Sequence, residues 1–318
     1  MTKAPSLLGS SGDSLREACG KELTKIAPDY PNVVVLDADI AGGTGMHHFR
    51  QAFPKRFIQC GIAEQNMMAM AGGLAATGLI PVVTTFAVFM LRAIEQARLS
   101  ISYANMNVKI IASHPGLDVG PDGGSAQSLE DLACYRSIPG MVVLSPCDPI
   151  EVKQATKAIL EFPGPVYMRT GRSDSKRILN DDYKFEIGKA KILKDGNDVT
   201  IMGCGPTTSR ALDAAESLEK EGISARVVNM STIKPIDIDM VVKCANETNG
   251  IVTAEDHNIF GGLGSAVAEV VVKHKPIPME FVGVNDCFGE SGEPDELAAK
   301  YEIDSNAIHL KVKKILNR

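Results

Sequence analysis

The feature that most constrains this chain is the recurrence of short β-branched and apolar runs, with helix-like spacing between them. Val33-Val34-Val35-Leu36, Phe57 to Cys60, Pro81 to Thr85, Val108 to Ala112, Met141 to Leu144 and Val166 to Met168 read as strands. Amphipathic segments such as 87–103 and 148–161 lie between several of them. Runs this apolar suit strands buried on both faces, and their alternation with helices predicts a doubly wound parallel α/β sheet. From Ser173 to Gly196 the chain turns polar and charged, which predicts a connecting stretch. A second α/β series follows: Val199 to Met202, a helix over 207–221, Ala225 to Val228, a helix over 236–247, Ile251 to Ala254 and a helix over 262–273. The expectation is a domain over 1–180, a linker over 181–195 and a smaller α/β domain over 196–318.

Composition narrows the function. The net charge of −6 is spread without a basic block, which argues against a nucleic-acid surface. Seven cysteines, scattered and without CxxC, read as reduced thiols of a cytoplasmic protein. The stretch MTKAPSLLGSSGDS has no apolar core of the signal-peptide kind. Residues 70–91 carry no charge over 22 positions, long enough to span a bilayer, but Gly78 and Pro81 interrupt them. Helix, turn, buried strand and second helix is the expected parse there, so no membrane partner is expected.

In open α/β sheets ligands gather at the carboxyl ends of the strands. Asp37 and Asp39 follow the first strand, Glu64 the second, Thr84-Thr85-Phe86 the third, and Ser113-His114 the fourth. The loop PGLDVGPDGGSAQ comes next; it has neither GxGxxG nor Walker spacing, and alone it reads as a turn-rich connection. Glu64, in FIQCGIAEQNMMAM, stands between two segments that look bound for the core. On its own it reads as a first-turn carboxylate facing the helix dipole. Phe86 and Phe89, three apart, read by periodicity as core residues.

GIAEQN, GLIPVVTTFAVF, SHPGLDVGPDGGSAQ and LEDLACYRSIPGM together resemble the transketolase family, and more narrowly the C-terminal subunit of a two-chain transketolase. TAEDHNIFGGLGSAVAE and CFGESGEPDEL are similar to that family's C-terminal domain, so the resemblance covers nearly the whole chain. It implies a thiamine-diphosphate pyrimidine-binding domain in the first part and transfer of a two-carbon ketol unit from a ketose (phosphate) donor to an aldose phosphate. It gives Glu64 the catalytic role: a buried carboxyl group that hydrogen-bonds or protonates N1′ of the aminopyrimidine. Apolar surroundings favour the protonated form of such a group. Phe86 and Phe89 match aromatic positions around the aminopyrimidine. Arg92 stands where transketolases often have another aromatic; an arginine there is similar to the deoxyxylulose phosphate synthases, and it completes the expected cofactor-binding set. Arg16, His114 and Arg172 match positions that grip the substrate phosphate as cations, and Asp122 matches the acid that reads a sugar hydroxyl.

Two positions depart from the family. DGGSAQ places Ala126 where relatives carry a histidine near the reacting carbons. AGGTG places Gly42 or Gly43 where relatives have a phosphate-binding serine, which is expected to widen the space beside the anion. The family's GDG…Asn motif, which holds the cofactor diphosphate through Mg²⁺, is absent. No metal ligand is therefore expected in this chain. The resemblance implies an N-terminal partner subunit that carries the motif, in an α₂β₂ heterotetramer. The alternatives are a deoxyxylulose-phosphate-synthase-like or 2-oxoacid-using thiamine carboligase subunit, and a non-catalytic regulatory subunit.

Overall fold

A computed structural model describes residues 11–317; the part of the N-terminal stretch before Ser11 lies outside the described residues. In the first half, strands β1 (Ser11–Ser14), β2 (Val33–Asp37), β3 (Phe57–Gln59), β4 (Ile80–Phe86), β5 (Lys109–Ser113), β6 (Val142–Leu144), β7 (Val166–Thr170) and β8 (Asp174–Lys176) are interleaved with helices. Three of those helices position the site: α1 (Leu15–Ile26), α2 (His47–Ala52) and α3 (Glu64–Ala76). In the second half come β9 (Lys191–Lys194), β10 (Val199–Gly203), β11 (Ala225–Asn229), β12 (Thr232–Lys234), β13 (Ile251–Asn258) and β14 (Met279–Val284).

The first sheet has seven strands in the order β12-β6-β7-β5-β4-β2-β3, parallel except where β12 runs antiparallel to β6. Alternate residues feed opposite faces. Val34, Leu36, Val83, Ile110 and Tyr167 enter one apolar cluster, while Val33, Val35, Val82, Ile111 and Met168 enter another. Both faces are thus covered, as the continuous apolar runs require. The second sheet, β14-β13-β10-β11-β9, is parallel apart from β9. The first apolar cluster continues into Met202, Val228 and Leu263, so the two halves share a core.

The structure corrects three expectations. The polar stretch 173–196 contains two strands, because β8 pairs with β1 and β9 edges the second sheet. The segment 87–103 is not one helix: it is a short α-helical turn at Ala87–Met90, a 3₁₀ turn, a further α turn and a π-helix over Ala97–Tyr103. Strand β3 lies at a sheet edge and is only half-buried, with Gln59 exposed. Among the described residues no helix is long and apolar enough to cross a membrane.

Candidate active site

Glu64 enters the site because β3 ends at Gln59 and the chain turns through Gly61, at φ +69°, into α3. It is 2% exposed, and Met67 and Met68 are fully buried on the same helix. The N-cap residue is Ala63, and no side chain caps this helix. Glu64 instead accepts a hydrogen bond from Arg92 Nη1 at 3.2 Å, while the Arg92 side chain remains 60% exposed. A buried carboxylate is costly unless paired, and a solvent-reaching guanidinium offsets that cost. The carboxyl group therefore makes no side-chain cap, and Arg92 is turned onto it.

Phe86 ends β4, and its ring stacks with that of Phe89 at 5.7 Å and 15°. Both rings are half-buried. Phe86 also leans on the His114 ring at 4.1 Å. A Cβ on Gly43 would lie 2.8 Å from Phe86 Cε1, whereas one on Gly42 would meet nothing within 4 Å. The pair of glycines does not simply widen the site: Phe86 already fills the space at Gly43.

His114 links this aromatic platform to a polar cluster. It follows β5 in the left-handed region, at φ +60°. Its Nδ1 lies 2.8 Å from Ser113 Oγ, and its Nε2 lies 3.5 Å from Arg16 Nη1. Burial, then the Arg16 and Arg172 charges, push its ionisation down to about 3. His114 is consequently a neutral hydrogen-bonding group rather than the cation expected from the sequence. Arg16, in the first turn of α1, donates through Nη1 to Gly43 O at 2.8 Å, and its buried Nε has no protein partner. Arg172 follows β7; its Nη1 donates to Val119 O at 2.7 Å and pairs with Asp122 Oδ1 at 2.8 Å.

Contacts thus link Phe89, Phe86, His114 and Arg16 in turn at the carboxyl ends of β4 and β5, with the Arg172–Asp122 pair after β7. The Arg92–Glu64 pair forms at the start of α3, and Arg92 stands three residues after Phe89. Ala126, on the loop after His114, is buried. These groups are of the kind an aminopyrimidine needs: a stacked aromatic pair suits its faces, and a buried carboxyl group suits its polar edge. The unpartnered Arg16 Nε beside a neutral imidazole fits an oxyanion.

Sequence reasoning missed the groups that hold this loop. Asp256, in β13, accepts the amides of Leu117 and Asp118 at 2.8 and 3.1 Å. Asp118 Oδ2 in turn accepts the amides of Arg172 and Ser173 at 3.0 and 3.1 Å. The available signal was Gly116, at φ +73°, where any Cβ would overlap the Asp256 carboxylate. A large cavity lies behind the loop, between the halves, lined by Asp118, Ser173, Lys176, Arg210 and Asp295 among others; it does not include Glu64.

The family description "Transketolase, pyrimidine binding domain" matches residues 12–177, and "Transketolase, C-terminal domain" matches residues 188–308. A transketolase C-terminal section of Methanocaldococcus jannaschii is 45% identical over 298 residues, covering 92% of this chain and 93% of that protein. A 6-deoxy-6-sulfo-D-fructose transketolase subunit of a Clostridium species is 41% identical over 295 residues, covering 92% of each. A solved structure described as a split gene transketolase, inactive β4 tetramer, matches with a TM-score of 0.90 at 47% identity, over 96% of this chain and 99% of that one. The chain belongs to the transketolase family.

Proposed function

We propose that this chain is the C-terminal subunit of a thiamine-diphosphate-dependent transketolase, transferring a two-carbon ketol unit from a ketose donor to an aldose phosphate. The observation that carries the reading is Glu64, buried at the start of α3 and paired with Arg92, three residues after Phe89 of the stacked Phe86–Phe89 pair. When bound, thiamine diphosphate supplies the carbon nucleophile that takes up and releases the two-carbon unit. Glu64 would hydrogen-bond N1′ and Phe86 and Phe89 would flank the ring, while in the free chain Arg92 donates to the Glu64 carboxylate. Arg16 Nε and His114 take the anionic tail of the sugar, with Arg172 beside them. Asp122 reads a hydroxyl only by loosening its pair with Arg172.

The diphosphate and Mg²⁺ are assigned to an N-terminal subunit with the GDG…Asn motif, in an α₂β₂ heterotetramer. The absence of that motif here and the similarity to a split gene transketolase support this. A reducing cytoplasm suits the free thiols. We divide the chain as 1–180, 181–195 and 196–318, with β9 inside the connecting stretch. The similarity to a sulfo-sugar transketolase subunit and Ala126 in place of a histidine support a donor other than xylulose 5-phosphate.

The test is to mix the chain with its partner, Mg²⁺ and the cofactor. Tight Mg²⁺-dependent cofactor binding and ketol transfer are expected only in the mixture. Calorimetry showing equally tight binding by this chain alone would refute the division of labour. A panel of ketose and sulfo-ketose donors, read as kcat/KM for the native pair and for Ala126→His, tests the donor preference.

A further inference from the structure

We propose that Glu17, His47 and His48 form a transition-metal site, of the class that takes Zn²⁺, independent of the cofactor's Mg²⁺. The three side chains come from two elements, the first turn of α1 and the start of α2. Two glycines bring those elements into backbone contact: a Cβ on Gly20 would overlap Gly45 O, and one on Gly45 would overlap Arg16 O. Residues adjacent on a helix normally point about 100° apart. Here the two imidazoles lie 4.0 Å apart, and His48 Nε2 is 2.8 Å from Glu17 Oε2.

Among the described residues this is the one group of three such side chains close enough to share an ion, with one donor atom from each within 4.8 Å of the others. Tetrahedral coordination at about 2.0–2.2 Å brings donors to roughly 3.4 Å from each other, so side-chain rotation closes the site. His48 and Glu17 have side-chain exposures of 28% and 26%, which leaves room for that rotation and for entry of an ion. His47 Nδ1 is buried with no hydrogen-bond partner.

Two imidazoles and one carboxylate are a borderline donor set that suits Zn²⁺, Ni²⁺ or Co²⁺ and leaves positions for water. Mg²⁺ prefers oxygen ligands in octahedral geometry and is disfavoured here. On binding, the ion takes the place of the hydrogen bond between His48 Nε2 and Glu17 Oε2, and the neutral imidazole carries its one ring proton on Nδ1. The bound ion ties α1 to α2 across the loop whose Gly43 carbonyl accepts from Arg16.

The experiment is calorimetric titration of the full chain, stripped with chelator, with Zn²⁺, then with Zn²⁺ in excess Mg²⁺. Co²⁺ absorption spectra separate this site from thiol sites at Cys60, Cys134 and Cys287. One Zn²⁺ per chain is expected, undisturbed by Mg²⁺, with a Co²⁺ spectrum lacking thiolate charge transfer. Affinity should fall at least about tenfold in His48→Gln and Glu17→Gln, the scale that even outer partners of a metal carry. Zn²⁺ should also raise the melting temperature of the native chain but not of the His47→Ala, His48→Ala double variant. If that variant does not fold, His48→Gln decides. Unchanged Zn²⁺ binding in the variants, a thiolate band, or displacement by Mg²⁺ overturns the site. None of these readouts depends on transketolase activity.

Discussion

Asp256 accepts the backbone amide of Leu117 at 2.8 Å, so a strand of the second half anchors the loop that begins at His114. Asp118 extends the anchor to Arg172 through the Arg172 amide. Burial pushes the Asp256 carboxyl up, while Arg210 and the Leu117 amide pull it back. Asp256→Asn keeps one carbonyl oxygen for two amides and sets an NH₂ against N–H groups. A loss of about 1–3 kcal/mol is expected, the cost of leaving a buried donor unpaired. In the reconstituted pair KM for an anionic donor should rise more than kcat falls, because the anion-facing residues shift while Glu64 does not. Melting curves with paired kinetics check both; equal loss in kcat and no change in KM would contradict the anchor.

Glu64→Ala is expected to leave the fold intact and cut turnover by roughly 10²–10⁴, the usual worth of a positioned acid–base group. Glu64→Gln should be milder, since an amide still hydrogen-bonds N1′ but holds no transferable proton. If the residue acted only on the helix dipole, stability would fall by about 1 kcal/mol or less with activity retained.

His114 gives a pH signature. An imidazole in the unfolded chain takes up its proton near 6.5, while in the folded chain uptake waits until about 3. Between those values the unfolded state binds more protons, so this residue's contribution to stability is present above 6.5 and is lost as the pH falls toward 3. Subtracting the His114→Gln stability profile from that of the native chain should isolate this slope. NMR titration of the ring should show no protonation between pH 8 and 5.

The parallel sheet was legible because its strands are buried on both faces and therefore read as unbroken apolar runs. The edge strands β9 and β12 were not: Lys191–Lys194 and Thr232–Lys234 are short and charged, and pairing rather than apolarity makes them strands. The candidate roles of Glu64, Phe86, Phe89 and Arg16 came from the family resemblance, not from burial or periodicity. The protonation of His114 was not, since it depends on burial and on two arginines distant in sequence. The Asp256 anchor was hidden for the same reason, joining positions 139 residues apart.

Lys109 is fully buried at the start of β5 and donates to Phe162 O and Gly164 O at 2.7 and 2.6 Å. Burial pushes its ionisation down to about 7. A neutral amine has two N–H groups, enough for both carbonyls, so the proton lost costs neither bond. The unfolded chain keeps that proton to about 10.5. Stability should therefore rise with pH between 7 and 10.5, and Lys109→Met should abolish that rise. The same variant should be about 1–3 kcal/mol less stable at pH 9, with two carbonyls unpaired. Denaturant titrations at several pH values measure both effects.

Gly42 and Gly43 separate two accounts of the departure from the family's serine. A Cβ at Gly42 meets nothing within 4 Å, so Gly42→Ser should fold normally and place a hydroxyl in open space. At Gly43 the added carbon would stand 2.8 Å from Phe86 Cε1 and 3.1 Å from Ile40 Cγ1. Neither atom can stay, and the mobile element is the Phe86 ring, which would swing out of its stack with Phe89. An aromatic pair of this kind is worth about 0.5–1.5 kcal/mol beyond its buried area. Gly43→Ser should therefore weaken cofactor binding by the reconstituted pair by roughly threefold to tenfold, taking a tenfold change as about 1.4 kcal/mol. Gly42→Ser should leave cofactor affinity unchanged and alter only KM for the anionic donor. Calorimetry of both variants decides the matter: equal cofactor affinity in the two would show that Phe86 is not the platform.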